Sequence, residues 1–283
     1  MGTSHVSEYE TLKDIVGAGR NREGTALDIT GRAAPYSYNK FCTNIWKAGN
    51  LLGHYGVHTM GELAVAIGPK SVGDKSPDSS SRSHELGGLD AGEPLLAAFG
   101  GMILGAVVDV VPDEPVDAPA LVAPAQWQME AAPGCRNLAY GGPPEASEVI
   151  HFERSVWSEN PIEPPEQVTP DDEALRFANE TWTHEELLMS VSELVSSYDI
   201  STGTTVMLEA PLTEPGAFTA GILAPFAVGA TVVIPENQPH VDNKNANGTE
   251  LEASTRVVTA EQTGEKLIPA SKITDSMREI HRQ

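Results

Sequence analysis

The stretch from residue 205 to residue 234, TVMLEAPLTEPGAFTAGILAPFAVGATVVI, decides the fold class. Residues 205–209 and 231–234 are dominated by Val, Thr, Met, Leu and Ile, which predicts two short strands. Between them, the apolar and glycine-containing residues 216–228 predict a buried helix. A strand, a helix and a second strand at this spacing are typical of a crossover connection, so the stretch predicts a parallel sheet.

The same alternation of short strands and helices extends over most of the chain, which predicts an α/β fold with helices layered around largely parallel sheets. The clearest single helix signal is at Thr183 and Glu186, which are spaced as a capping box and precede an amphipathic stripe. Other helices are expected over residues 9–16, 36–52, 94–105 and 273–280. Other strands are expected over residues 26–29, 63–67, 107–111, 120–123, 149–152, 174–178 and 256–259.

Changes in composition suggest how the chain is divided. Residues 1–235 carry the strand and helix signals and are expected to form one α/β region, or two packed lobes over residues 1–115 and 116–235. Residues 236–283 are expected to form a polar linker and a C-terminal appendage. The final helix of that appendage is expected to pack against the body through three apolar residues, Ile273, Met277 and Ile280.

Charge is distributed unevenly along the 283 residues. The chain has 40 acidic and 18 basic residues, and the whole acidic excess lies in residues 76–240, which hold 26 acids and four arginines. No lysine occurs between Lys75 and Lys244. Such a surface repels nucleic acid and anionic membranes. Acidity combined with lysine depletion resembles the proteins of salt-loving archaea, and the alternative is an ordinary acidic protein.

The apolar runs, the N-terminus and the two cysteines bear on the location and redox chemistry of the protein. The longest uncharged apolar run, residues 94–108, is shorter than the ~20 residues a membrane-spanning helix needs. The polar N-terminus has no signal-peptide pattern, so a cytoplasmic protein is expected. Cys42 and Cys135 are far apart and form no CxxC motif, which suggests neither a disulfide framework nor a metal site.

Two local patterns resemble binding motifs but are better explained as surface features. Gly68, Gly73, Lys75 and Ser76 follow a predicted strand, as a phosphate-binding loop does. However, Pro77 and a serine run stand where the loop's helix has to begin, so a plain loop is the favoured interpretation.

A histidine pair is the second such pattern. His54 and His58 have the spacing of two metal ligands on a helix, but Gly53 and Gly56 interrupt that helix and no third ligand is suggested. The acidic residues 171–173 are expected to be a solvated face. No metal site is therefore expected.

Four segments resemble, in the same order, blocks of acyl-CoA synthetases and other adenylate-forming (AMP-binding) enzymes. They are AAPYSYNKFCTNIWKAGNLLGHYGVHTMGELAVAIGP (33–69), EPLLAAFGGMILGAVVDVVP (93–112), WTHEELLMSVSELV (182–195) and MLEAPLTEPGAFTAGILAPFAVGATVVIP (207–235). The resemblance implies that the chain folds like part of the large N-terminal domain of these enzymes.

The chain departs from that family where the family handles ATP. In the family, a Ser/Thr/Gly-rich loop ending in Pro-Lys-Gly precedes the Thr-His helix and grips the ATP phosphates. Here the corresponding sequence is EALRFANETWTHEEL, which offers Asn179, Glu180 and Thr181 at the loop position, with Arg176 as the nearest basic residue. Lys244 and Lys266 are distant alternatives in the sequence.

Other parts of the family pattern have no counterpart. After Pro211 and Leu212 the family has a histidine or an aromatic residue, whereas this chain continues Thr213-Glu214-Pro215-Gly216. The family's adenine and ribose motifs, and its small C-terminal domain with a catalytic lysine, are also not found.

The resemblance with these departures implies a pseudoenzyme: a non-catalytic binding or partner subunit with no catalytic residue and no cofactor. The ligand expected from the resemblance is an acyl group or a CoA-like molecule, and the expected protein partner is a full-length synthetase. Two alternatives stay open at this point: an enzyme of a different reaction type that uses the same groove, and a structural or assembly subunit.

Overall fold

The computed structural model describes residues 5–30, 32–67, 92–110, 112–127, 129–235, 255–258 and 267–282. Several sequence-based expectations lie outside these residues: the four residues that resemble a phosphate-binding loop, Lys244, Lys266 and the last residue of each of the strands expected at 107–111 and 256–259.

The helices follow a short 3₁₀ turn at His5–Glu8. They are α1 (Leu12–Gly19), α2 (Tyr38–His54), α3 (Gly92–Met102), α4 (Phe152–Ser158), α5 (His184–Ser197), α6 (Pro215–Phe218), a π-helical turn (Thr219–Leu223), α7 (Ala224–Val228) and α8 (Ala270–His281). The strands are β1 (Thr25–Ile29), β2 (Tyr36–Ser37), β3 (Glu62–Val65), β4 (Val107–Asp109), β5 (Ala120–Pro124), β6 (Arg136–Tyr140), β7 (Ile150–His151), β8 (Glu173–Phe177), β9 (Glu180–Thr183), β10 (Thr205–Leu208), β11 (Thr231–Ile234), β12 (Thr255–Val258) and β13 (Leu267–Pro269).

These strands form two sheets. One has the order β13-β12-β10-β11-β1-β2 and the other has the order β7-β6-β5-β3-β4-β8-β9. Every strand pair is parallel except β1 with β2 and β8 with β9, which are antiparallel and involve the end strand of each sheet. The expected α/β fold with largely parallel sheets is therefore confirmed.

The crossover predicted from residues 205–234 is present. β10 and β11 pair in parallel from Thr205 opposite Thr231 to Met207 opposite Val233. The helix between them is continuous but changes type, because Thr219–Leu223 is a π-helical turn in which the Ala224 N–H donates to the Thr219 carbonyl. Pro225 follows directly and has no N–H to continue an α-helical ladder, so the wider turn fits this sequence.

A single cluster of buried side chains includes residues of both sheets and of the helices. Three phenylalanines from three helices meet within it: Phe41 of α2, Phe99 of α3 and Phe226 of α7. Their ring centroids are 5.2 to 6.1 Å apart, within the range of favourable aromatic pairs. The two sheets thus share one main core.

Both the first and the last part of the chain contribute strands to one sheet. The six-stranded sheet takes β1 and β2 from the first part of the chain, and β10 to β13 from the last. β12 lies directly beside β10, with Val206 opposite Thr255, so the ladder continues past residue 235.

The last helix packs against the body. Ile273 and Met277 of α8 are buried, whereas Ile280 is buried only in part. Gly216 of α6 donates its N–H to the hydroxyl of Thr274, 3.0 Å away, and Thr274 in turn donates to the carbonyl of Ala270. The two helices therefore meet through backbone groups as well as side chains.

One expected strand is shorter than predicted. A strand was expected over residues 149–152, but the strand β7 has two residues and a helix, α4, begins at Phe152. Phe152 and Val156 are both buried and lie four residues apart, which is a helical spacing.

None of the helices in the described part of the chain combines the length and apolarity needed to cross a membrane.

The Pro-rich segment 159–172 runs from α4 to β8 and is held by side chains of other elements. Lys13 of α1 donates to the carbonyls of Pro164, at 2.8 Å, and of Glu166. Asn50 of α2 donates to the carbonyls of Asn160 and Ile162, at 3.1 and 2.8 Å. The segment is thus fixed to the body mainly through its own main chain.

Candidate functional site

The segment that the sequence resemblance aligns with the family's phosphate loop is a tight hairpin. β8 and β9 pair in antiparallel fashion, and Phe177 opposite Glu180 is the last pair of the ladder. Only Ala178 and Asn179 lie between the two strands. β9 was not anticipated from the sequence, which indicated only a short connection between a strand and the cap at Thr183. The connection therefore consists of a two-residue turn followed by a second strand.

A two-residue turn offers little to a phosphate. Anion-binding loops present several successive backbone N–H groups around a concave surface, commonly next to a helix N-terminus. Here the ladder occupies the backbone on both sides of Ala178 and Asn179. Ala178 has a φ of 52°, a conformation that suits the tight turn but is sterically unfavourable for a residue with a β-carbon.

Arg176, the basic residue closest to the turn in sequence, is engaged by neighbouring groups. Its guanidinium forms an ion pair with Glu62 of β3, and its Nε donates to the hydroxyl of Thr181, 3.3 Å away. Arg176 lies opposite Asp109 of β4 in the sheet, so its side chain reaches across that strand to Glu62. The positive charge of Arg176 is therefore already paired with the carboxylate of Glu62.

Glu180, on the other side of the turn, is also paired. Nε of Arg278 in α8 donates to both carboxylate oxygens of Glu180, at 2.8 and 2.9 Å. Both side chains are about 40% exposed, so the pair contributes on the order of 0.2–1 kcal/mol to stability. The sequence did not indicate that Glu62 and Arg278 belong to this site. Glu62 is 114 positions from Arg176, and Arg278 is 98 positions from Glu180, so no local pattern connects the partners.

An acidic cleft lies beside the hairpin, with a volume of about 440 Å³. Its lining includes Arg176, Asn179 and four carboxylates, those of Glu62, Asp109, Asp113 and Asp117. Arg176 is the cation among these lining residues, and it already pairs with Glu62. The electrostatic character of the cleft is therefore unfavourable for a polyphosphate.

The opposite face of the hairpin is part of the core. Phe177 and Trp182 are buried and pack edge to face, with centroids 6.1 Å apart, and Phe177 also contacts Phe218 of α6. The predicted capping box is present, because the Thr183 hydroxyl accepts from the Glu186 N–H and the Glu186 carboxylate accepts from the Thr183 N–H. These contacts give the hairpin a structural role.

His184, which follows the cap, is completely buried. Its Nδ1 accepts a hydrogen bond from the N–H of Leu12, 3.1 Å away, at the start of α1. Burial lowers the pKa of His184 to about 4, although Asp172 and Asp14 act in the opposite direction. The ring is therefore neutral near pH 7 with its proton on Nε2, and it joins α5 to α1.

Among the described residues, the sequence also singled out two histidines and two cysteines. His54 ends α2, is largely exposed and lies 3.2 Å from a carboxylate oxygen of Glu159, whereas His58 lies beyond the helix. Cys42 is buried, which raises the pKa of its thiol to about 12. Burial also raises the pKa of the Cys135 thiol. In the described part of the chain, no group of three or more His, Cys, Asp or Glu side chains is arranged to hold a metal ion.

Comparison with known proteins gives matches of structure only: no protein-family model and no curated protein matches the sequence. The N-terminal subdomain of Klebsiella oxytoca NpsA, in complex with anthranilyl-AMSN, superposes with a TM-score of 0.61 at 13% identity, over 91% of this chain and 61% of that one. The N-terminal domain of FACL13 from Mycobacterium tuberculosis gives 0.59 at 14% identity, over 83% and 59%. The nonribosomal peptide synthetase FmoA3 gives 0.60 at 14% identity, over 81% and 23%.

The fold is that of the N-terminal domain of adenylate-forming enzymes. At 13–14% identity the likeness is one of architecture, and it agrees with the four sequence segments that resemble this family. The chain spans about three-fifths of the NpsA and FACL13 chains and about a quarter of the FmoA3 chain.

Proposed function

We propose that this chain is a pseudoenzyme on the adenylate-forming fold, which acts by binding a ligand or a partner protein and does not form acyl-adenylates. The observation that carries the proposal is the two-residue turn at Ala178 and Asn179. The sequence resemblance aligns this turn with the family's phosphate loop. A turn of this length supplies neither an amide cradle nor a lysine.

The chemistry of adenylation gives the reason. A carboxylate attacks the α-phosphate of ATP while pyrophosphate leaves, and the enzyme has to stabilise the departing charge with cations or oriented amides. At this hairpin, Arg176 pairs with Glu62 and the adjacent cleft adds the carboxylates of Asp109, Asp113 and Asp117. The local field opposes the charge that the reaction develops.

The proposed ligand is an acyl group or a CoA-like molecule, and the proposed protein partner is a full-length synthetase. The fold likeness and the short turn at Ala178 and Asn179 support both proposals. The composition supports a cytoplasm of high salt, because acidic residues exceed basic ones by 22 and lysine is scarce.

Pyrophosphate exchange tests the absence of adenylation. The protein is assayed in molar KCl with magnesium, ATP and a panel of short and long carboxylic acids, and no acid-dependent exchange is expected. Arg176→Ala is assayed in parallel with Arg154→Ala, a change at an exposed arginine of α4. Exchange that requires one of the acids and disappears only in Arg176→Ala would refute the proposal.

A thermal-shift screen in the same buffer identifies what is bound. A ligand at a hundred times its dissociation constant adds about 2.7 kcal/mol to the free energy of unfolding. Stabilisation by CoA or an acyl-CoA, without stabilisation by ATP, is the expected result. Stabilisation by ATP alone would contradict it, and a null result with every small molecule would favour a protein partner or a structural role.

A further inference from the structure

A second cavity lies on the outer face of the seven-stranded sheet, remote in sequence from the hairpin. Its floor consists of two directly opposed residue pairs of the parallel strands β5 and β6, Ala123 with Ala139 and Leu121 with Asn137. The two alanines are small, so no side chain from the centre of the floor fills the space above it. The cavity, which we call the β5–β6 slot, has a volume of about 290 Å³.

Two loops form the walls of the slot. The loop after β5 contributes Trp127 and Met129, and the loop after β6 contributes Pro144, Glu145 and Val149. The slot therefore opens where the carboxyl ends of neighbouring parallel strands diverge into their loops. In open α/β sheets this is the usual position for a ligand.

The side chains around the slot suggest a ligand class. Trp127 and Met129 are only partly buried although they pack on a small apolar cluster that includes Leu121 and Ala123. A pocket with apolar walls and a few polar groups is the usual form of a small-molecule site. Here the polar groups are the amide of Asn137 on the floor and the carboxylate of Glu145 on an exposed part of the wall.

We infer that the β5–β6 slot binds a small aromatic amine, with its ring against Trp127 and Met129 and its ammonium group toward Glu145. An aromatic ring replaces water on the apolar walls, and indole faces also attract cations. The carboxylate wall disfavours an anionic ligand of the same shape. The inference does not rest on the proposed function, because the slot shares no lining residue with the acidic cleft.

Ligand-observed NMR titrations test the inference with 2-phenylethylamine, the neutral 2-phenylethanol and the anionic 3-phenylpropionate. The titrations are made in KCl at which circular dichroism shows the protein folded. The amine is expected to bind most tightly and the carboxylate most weakly. Glu145→Gln is expected to reduce the preference for the amine over the alcohol by about threefold, since the carboxylate is exposed.

Two variants locate the binding. Ala139→Leu fills the floor, Trp127→Ala removes a wall, and each is expected to weaken amine binding about tenfold or more. Trp157→Ala, at an exposed tryptophan elsewhere, is the matched control and is expected to bind as the wild type does. If Ala139→Leu does not fold, the affinity of Trp127→Ala for the amine alone tests the location of binding.

Three results would overturn the inference. They are no amine binding at millimolar concentration, unchanged binding in the folded slot variants, and carboxylate binding as tight as amine binding.

Discussion

Gly216 of α6 packs directly against the carbonyl oxygen of Ala270 at the start of α8. A β-carbon at Gly216 would overlap that oxygen and would lie 2.8 Å from the backbone nitrogen of Thr274. Because both contacts are with backbone, α8 cannot yield by a change of rotamer. Gly216 therefore has a packing role between α6 and α8.

Gly216→Ala is therefore expected to destabilise the protein by about 1–3 kcal/mol or more, since overpacking forces a backbone shift. Chemical denaturation followed by circular dichroism measures the change. Gly17→Ala in α1 is the control, because nothing lies within 4 Å of a β-carbon there and alanine favours a helix by up to about 1 kcal/mol. Equal stability of the two variants would contradict the close contact.

Protonation of His184 is expected to make stability depend on pH. The pKa of this residue is about 4 in the folded protein and about 6.5 when unfolded, so the unfolded chain takes up the proton first as pH falls. The contribution is constant above about pH 6.5, falls between pH 6.5 and 4, and levels off below that. The expected loss is about 2 kcal/mol by pH 5 and about 3 kcal/mol by pH 4.

The measurement is denaturant unfolding of the wild type and His184→Asn between pH 7 and pH 4, at constant salt. Both proteins share the titration of every carboxylate, so the difference between them isolates the histidine. An asparagine oxygen can still accept from Leu12. A difference that stays constant with pH would show that His184 is not held neutral.

Ala178→Gly is expected to stabilise the hairpin. The φ of 52° at Ala178 is unfavourable for a residue with a β-carbon, and glycine adopts it freely, so a gain of about 0.5–1 kcal/mol is expected. Asn179→Gly, at the other turn residue, is the control and is expected to bring no gain, because its φ is not positive. Thermal unfolding distinguishes the two, and a gain in Asn179→Gly alone would refute the expectation.

Lower salt is expected to weaken the fold. The net charge of −22 comes from the acidic excess in residues 76–240, and screening of this self-repulsion decreases as the Debye length grows from about 3 Å at 1 M salt to about 30 Å at 0.01 M. Circular dichroism and denaturant unfolding in molar and millimolar KCl measure the effect. Equal stability in both would indicate an ordinary acidic protein.

The sequence predicted elements whose signals are local. The capping box at Thr183 and Glu186 and the crossover from β10 to β11 were identified because their residues lie close together in the chain. The missed elements depend on distant neighbours. β9 has four residues and is defined by its pairing with β8, and no periodicity is visible over so short a length.

For the candidate site, the sequence predicted only that few phosphate-binding groups are present. That Arg176 would pair with Glu62 depends on β4 lying between β3 and β8, and this order is not encoded near either residue. The partnership of Glu180 with Arg278 similarly requires α8 to return to the hairpin. Contacts of this kind follow from topology, which the local patterns do not specify.

The contacts of the segment 159–172 predict where sequence change is tolerated in this fold. Lys13 and Asn50 bind it through its carbonyl groups, which every amino acid possesses, and Glu163 adds a side-chain contact with Lys13 at 3.8 Å. Most residues of the segment are therefore free to change while its path is kept. In divergent relatives, Lys13 and Asn50 are therefore expected to be conserved more often than the residues of the segment that they bind. The backbone path of the segment is expected to be the same in relatives whose sequence there differs.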